Sequence, residues 1–233
     1  IHENVGGDFI WSASSFWGIP WLEAALGCEI VADHSTGSIH AETPKDFDGT
    51  VPVFSLSNLW VTKGIEFLDK IAVHANGKYP LATPRLRGIS DLLACLYGNE
   101  GFVYKFFECP EKIDEISEKL TDFWIQFAKT QLEHIPSFHG GIGSFYYNMW
   151  APAGSVWLQE DSSALLSPTI FEEHILPFVK KQINAFDGCI VHMHPTGFYP
   201  YKQFIKTDML ALELHIDEGG PSAEKLFDVH QEI

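Results

Sequence analysis

Cys189-Ile190-Val191-His192-Met193-His194-Pro195-Thr196-Gly197 is the run whose reading decides the fold. Its apolar and β-branched residues favour a strand, and Pro195 and Gly197 stop it. Side chains alternate along a strand. His192 and His194 therefore share one face, and Cys189, Val191 and Met193 take the other. Two imidazoles at a strand end can share a metal ion or a substrate anion; they can also simply hydrogen-bond neighbouring loops. A His-x-His pair supplies two of the about four ligands that zinc takes, so other segments must supply the rest.

The flanks extend this pattern. Upstream, Val156 to Gln159 reads as an extended piece that delivers Glu160, Asp161, Ser162 and Ser163 to its end. Ser167 then caps a helix with Pro168 in its first position, running to about Ala185. Downstream, Leu210 to Ile216 reads as a strand. Leu210, Leu212, Leu214 and Ile216 lie on one face, and Ala211, Glu213, His215 and Asp217 on the other. Gly219-Gly220-Pro221 ends it, and a helix starts at Ser222. Gly143 to Met149 predicts a further strand with Ser144, Tyr146 and Asn148 on one face.

The first half is more helical. Pro20 and Gly27 bracket a short helix, Asp33 to Gly49 reads as a loop, and Asn58 to Ala75 predicts a helix. Tyr79 to Pro84 reads as a short strand, Gly88 to Leu96 as a helix ended by Gly98, and Phe102 to Phe107 as a short apolar piece. Pro110 opens the clearest helix, with Ile113, Ile116, Leu120, Phe123 and Phe127 on a core-facing stripe.

Strands alternating with helices predict an α/β fold with a parallel sheet. In a (β/α)8 TIM barrel the site forms at the C-terminal strand ends. His192, His194, Glu213, His215, Asp217, Tyr146, Asn148 and Asp161 would then converge at one mouth. A doubly wound sheet would also align them along one edge, but no glycine-rich phosphate loop follows the early strands. Without internal repeats or linkers, residues 1–233 read as one domain.

Composition narrows the partners. Thirty-one acidic side chains against 15 basic ones give a net charge of −16, which argues against nucleic acid and anionic membranes. Arg85 and Arg87 are the only arginines. Cys28, Cys95, Cys109 and Cys189 are widely separated, which predicts reduced thiols in a cytoplasmic protein. No run approaches the about 20 apolar residues of a membrane helix. The aromatic N-terminal segment, with Trp11, Phe16, Trp17 and Trp21, suits a pocket wall or a homodimer contact.

Three stretches resemble the uroporphyrinogen decarboxylase superfamily. Ile19-Pro20-Trp21-Leu22-Glu23-Ala24-Ala25-Leu26-Gly27-Cys28 is similar to the N-terminal segment of less characterised bacterial members. Glu160-Asp161-Ser162-Ser163-Ala164-Leu165-Leu166-Ser167-Pro168, with Phe171-Glu172-Glu173 and Leu176-Pro177-Phe178, resembles the family's strand, capped turn and following helix. Ile190 to Gly197 resembles the strand end at which many members carry His-x-Cys-Gly. The resemblance implies a TIM barrel whose last strand–helix unit lies beyond Ile233.

Two activities go with that family. Decarboxylases use no metal and grip a carboxylate-rich tetrapyrrole with arginines near the N-terminus; Arg85 and Arg87 do not match that motif. Zinc-dependent methyltransferases move a methyl group between a corrinoid, carried by a partner protein, and a thiol. His192 matches their zinc-binding histidine, and His194 stands where cysteine is usual. The leading expectation is a metal-dependent methyltransferase with zinc held by His192, His194 and a carboxylate such as Glu160, the first choice, or Glu213, unless this branch has lost the metal. Asp161, Tyr146 and His215 are the expected catalytic groups; Asn148, Glu213 and Asp217 are expected to bind a small-molecule substrate. A cofactor-free lyase using Asp161 and Tyr146, and a non-catalytic binding barrel, are the alternatives.

Overall fold

The computed structural model describes residues 10–15, 18–144 and 149–231. In chain order the elements are α1 (Trp21–Ala25), β1 (Ile30–Asp33), β2 (Ser38–Ala41), α2 (Leu59–Ala75), α3 (Ile89–Tyr97), α4 (Asn99–Glu108) and α5 (Pro110–Glu133). There follow β3 (Gly141–Gly143), β4 (Trp150–Pro152), β5 (Ser155–Gln159), α6 (Pro168–Ile170), α7 (Leu176–Ile183), β6 (Gly188–Met193), α8 (Tyr201–Phe204), β7 (Ala211–Leu214) and α9 (Ala223–Val229).

The described strands form no eight-stranded parallel barrel, which overturns the TIM-barrel expectation. They form two antiparallel pairs, β1–β2 and β3–β4, and one three-stranded parallel sheet in the order β5-β6-β7. A barrel needs a strand before each helix. Between β2 and β3 the chain instead builds four helices with no strand among them. Tyr79 to Pro84, expected as a strand, contributes a lone parallel bridge from Leu81 to Ala13. Arg87 makes a second such bridge to Gln159 at the edge of β5.

Two other readings change. Part of the expected Asp33–Gly49 loop is the β1–β2 hairpin. Its turn is held by Asp33, whose carboxylate accepts from the Ser35 amide at 2.8 Å and the Thr36 hydroxyl at 2.9 Å. Gly37 supplies the positive φ of 72° that this turn needs. The apolar piece Phe102 to Phe107 is part of helix α4, where Phe102 and Phe106 face the core. Its other aromatics, Tyr104 and Phe107, are exposed, and this blurred the helical period.

The parallel sheet separates two packed regions. From one face Val156, Leu158, Cys189, Val191 and Met193 meet Ile113, Ile116, Leu120, Phe123 and Phe127 of α5, with Val179 and Ile183 of α7. From the other face Trp157 and Ile190 pack with Leu68, Leu81, Ile135 and Ile142. Asn58 starts α2 by accepting from the Trp60 amide at 3.0 Å and donating to the Ala25 carbonyl at 2.8 Å, which ties α2 to α1. Residues 171–175, just before Pro177, form a π turn. Pro177 has no amide hydrogen to continue the ordinary ladder, so a wider turn at this point is its physical consequence.

Glu160, immediately after β5, is fully buried. Its carboxylate accepts from the Ile89 amide at 2.7 Å, the Ser90 amide at 3.1 Å and the Ser90 hydroxyl. It thereby satisfies the first turn of α3, where Gly88 has no cap of its own. Gly88 has to be glycine here, because a Cβ would fall 1.9 Å from Glu160 Oε1. Burial, then the nearby Asp91 charge, pushes the Glu160 carboxyl up to about 8 against those hydrogen bonds. The folded state therefore holds an extra proton between the ordinary glutamate range and about pH 8, and stability falls as pH rises through that window. We expect a decline on the order of 5 kcal/mol in urea unfolding across it. Glu160→Gln should flatten that slope; an unchanged slope in the variant would assign the effect elsewhere.

Candidate metal centre

β6 pairs in parallel with β5 and β7, with Gln159 opposite His192 and His192 opposite Glu213. Parallel register puts the three side chains on one face, in a row. Residues beyond the strand ends continue the pattern: Asp161, His194 and His215 one step further, and Asp217 two steps beyond Glu213. His192 and His194 share a face as the alternation predicts, their ring centroids 4.9 Å apart. His215 stands 4.7 Å from His194 and 6.1 Å from His192.

Each histidine of the pair is held by a carboxylate from the β7 side. Nδ1 of His192 is hydrogen-bonded to Glu213 Oε2. Nδ1 of His194 lies 2.9 Å from both oxygens of Asp217. A carboxylate accepts, so in each pairing Nδ1 donates, and in the neutral ring the lone pair is then on Nε2. Both Nε2 atoms face Asp161: His192 Nε2 is 3.9 Å from Oδ1, and His194 Nε2 is 3.8 Å from Oδ2. Gln159 steadies that carboxylate by donating to Oδ2, while Oδ1 is buried with no hydrogen-bond partner among the described residues.

Asp161, His192 and His194 thus offer one ligand atom each within 4.8 Å of one another, and His194, His215 and Asp217 form a second such group. Ligands about 2.0–2.1 Å from a tetrahedral zinc lie roughly 3.4 Å apart, so the first set would have to draw together by up to roughly 1.4 Å to close on an ion. Carboxylate-held imidazoles are the usual support for such ligands, because they fix the ring and raise its basicity. The second group competes less well: His194 and Asp217 already bond each other through Nδ1, and His215 Nε2 is 4.0 Å from Asp217. His192 is 2% exposed, whereas the His194 side chain is 33% exposed, so the centre opens to solvent on the His194 and His215 side.

Not all the expected residues arrive. Glu160, the expected carboxylate ligand, points the opposite way and serves α3; its neighbour Asp161 takes the position beside the imidazoles. Glu213 and Asp217, expected to touch substrate, instead hold the histidines. His215 sits at the rim. Tyr146 and Asn148 lie outside the described residues, as do Phe16 and Trp17 of the aromatic segment. Trp21 of that segment is core and Trp11 is exposed.

The structure also adds residues that the sequence reading left aside. Asp91 accepts from the Ser162 amide at 2.7 Å and so fixes the turn carrying Asp161. Burial and then Asp161 push the Asp91 carboxyl up to about 6. Arg87 reaches buried Glu23 at 3.5 Å. The charges of Glu23, Asp91 and Asp161 act on both arginines. The signal was available, since the chain's only two arginines alternate on an extended run just before α3. No protein-family model matches the chain, and no curated protein matches it. Among the described residues no helix is long and apolar enough to cross a membrane.

The hydrogen bonding fixes the tautomer of His194. Long-range proton–nitrogen NMR of the metal-free protein at a pH where the ring is neutral should show the proton on Nδ1. Asp217→Asn should release that preference toward a mixture; an Nε2 proton in the unaltered protein would contradict the geometry.

Proposed function

We propose that this chain is a metal-dependent enzyme whose single ion is held by His192 Nε2, His194 Nε2 and the Asp161 carboxylate. The observation that carries the reading is the paired support: two imidazoles, each held through Nδ1 by its own carboxylate, present both Nε2 atoms to a third carboxylate. A hydrogen-bonded histidine pair serving only loops would not need this convergence. Two nitrogens and one oxygen make a borderline-to-hard ligand set that suits zinc and leaves a fourth position for an exogenous ligand.

The reaction we propose is transfer of a methyl group to a thiol, with a corrinoid as methyl donor, as in the methyltransferases that the sequence resembles. An ion at this position would bind the thiol and lower its pKa, so that thiolate is present at neutral pH. The residues supply the rest. Glu213 and Asp217 hold the two rings in the required tautomer. Gln159 keeps Asp161 turned toward them. The exposed side at His194 and His215 is the route by which the thiol enters, and His215 is the titratable group placed to take the proton it gives up. Three nearby carboxylates favour a cation in this cleft and offset its charge.

The test is metal content and affinity of untagged protein. One zinc per chain is expected, lost in His192→Ala and in Asp161→Ala. Glu213→Gln should weaken it by about 10–100-fold, as removal of a ligand's supporting partner does elsewhere. A chain that takes up no stoichiometric zinc, cobalt or iron would end this reading and leave the metal-free lyase. With zinc bound, methylation of a thiol from methylcobalamin is the activity to assay.

A further inference from the structure

Cys28 follows the turn that ends α1, and Cys95 lies in the last turn of α3. They are 67 positions apart in sequence, yet their sulfurs are 3.7 Å apart. We propose that Cys28 and Cys95 are an oxidation site: a thiol pair that hydroperoxides convert into an intramolecular disulfide. The pair lies outside the metal centre, and the inference does not rest on a metal being bound.

Proximity is the first argument. A disulfide is about 2.05 Å long, so the sulfurs have to approach by roughly 1.7 Å. The chain can give at that point: Gly27, next to Cys28, has a φ of 101° and no atom within 4 Å of where a Cβ would stand. That backbone is open on the Gly27 side, while Cys28 itself packs in the core beside Cys95. Access is the second argument: Cys28 is buried, but Cys95 beside it is partly exposed, so a small hydroperoxide can reach the pair from the Cys95 side.

Chemistry is the third. The two sulfurs hydrogen-bond each other, and with Cys95 as the donor that bond pulls the Cys28 thiol below its ordinary pKa against burial and the Glu23 charge. The same bond, with burial, pushes the Cys95 thiol up. One sulfur is therefore the better thiolate, and the other stays protonated beside it. Cys189, by contrast, is buried in the sheet and pushed up to about 12 by that burial alone.

The steps balance with a hydroperoxide as the oxidant. The Cys28 thiolate attacks the O–O bond, giving a sulfenic acid and, after protonation, releasing water from hydrogen peroxide. The Cys95 sulfur then attacks the Cys28 sulfur. The S–S bond forms, the S–O bond breaks, and the Cys95 proton leaves with the hydroxyl as a second water. Two thiols are oxidised by two electrons, and one peroxide is reduced to two waters.

The test treats the whole protein with hydrogen peroxide, unfolds it in an alkylating reagent, and maps the peptides without reduction. The expected result is a fall from four free thiols to two, a linked Cys28–Cys95 peptide two hydrogens lighter than the thiols, and full recovery with dithiothreitol. In Cys95→Ser, Cys28 should stop at a sulfenic acid that dimedone traps. The proposal is overturned if all four thiols survive, if Cys28 goes on to sulfinic acid in the unaltered protein, or if the bond forms with Cys109 or Cys189 instead.

Discussion

The candidate site depends on the parallel register between β6 and β7. His192 stands opposite Glu213. Beyond the strand ends, His194 meets Asp217. A slip of one residue would turn the carboxylates to the other face, toward the core of α5 and α7, and leave both imidazoles unsupported. The apolar alternation opposes that slip, since Val191 and Met193 are buried on the face away from the histidines. The hydrophobic pattern that seats the sheet is thus the same pattern that aims the ring nitrogens.

The end of β5 divides its work between consecutive residues. Glu160 turns inward and satisfies the opening of α3; Asp161 turns outward and faces the imidazoles. Asp91, from α3, holds the backbone just after them by accepting from the Ser162 amide. Helix, turn and cleft are therefore coupled through a few buried carboxylates. A charge there is costly unless hydrogen-bonded: Glu160 takes three donors, and burial still pushes the carboxyls of both Asp91 and Glu160 above their ordinary range. The two arginines sit beside this cluster and offset part of its charge.

How much of this was legible in the sequence followed the range of the signal. The stripe of α5, the Asn58 start of α2, the Ser167 cap and the strands β5, β6 and β7 were readable because each is written in neighbouring residues. The two faces of the last strand, and the shared face of His192 and His194, follow from alternation alone. The barrel did not follow. Helix–strand alternation in the second half was extended to a first half whose long middle stretch is helical, and local periodicity carries no count of strands. That Asp161 rather than Glu160 faces the imidazoles was not legible for a related reason: at a strand end, which of two adjacent carboxylates faces the cleft depends on the turn after it. Cys28 and Cys95, like the arginines and Glu23, meet only through tertiary packing.

The central claim is that His192, His194 and Asp161 hold a single ion. The most direct test is anomalous diffraction at the zinc edge from crystals grown with zinc. The account predicts one strong peak about 2.0–2.2 Å from His192 Nε2, His194 Nε2 and an oxygen of Asp161, with Glu213 and Asp217 still bonded to the Nδ1 atoms. A peak bound by other residues, or none in this cleft while the two rings keep their positions, would contradict it.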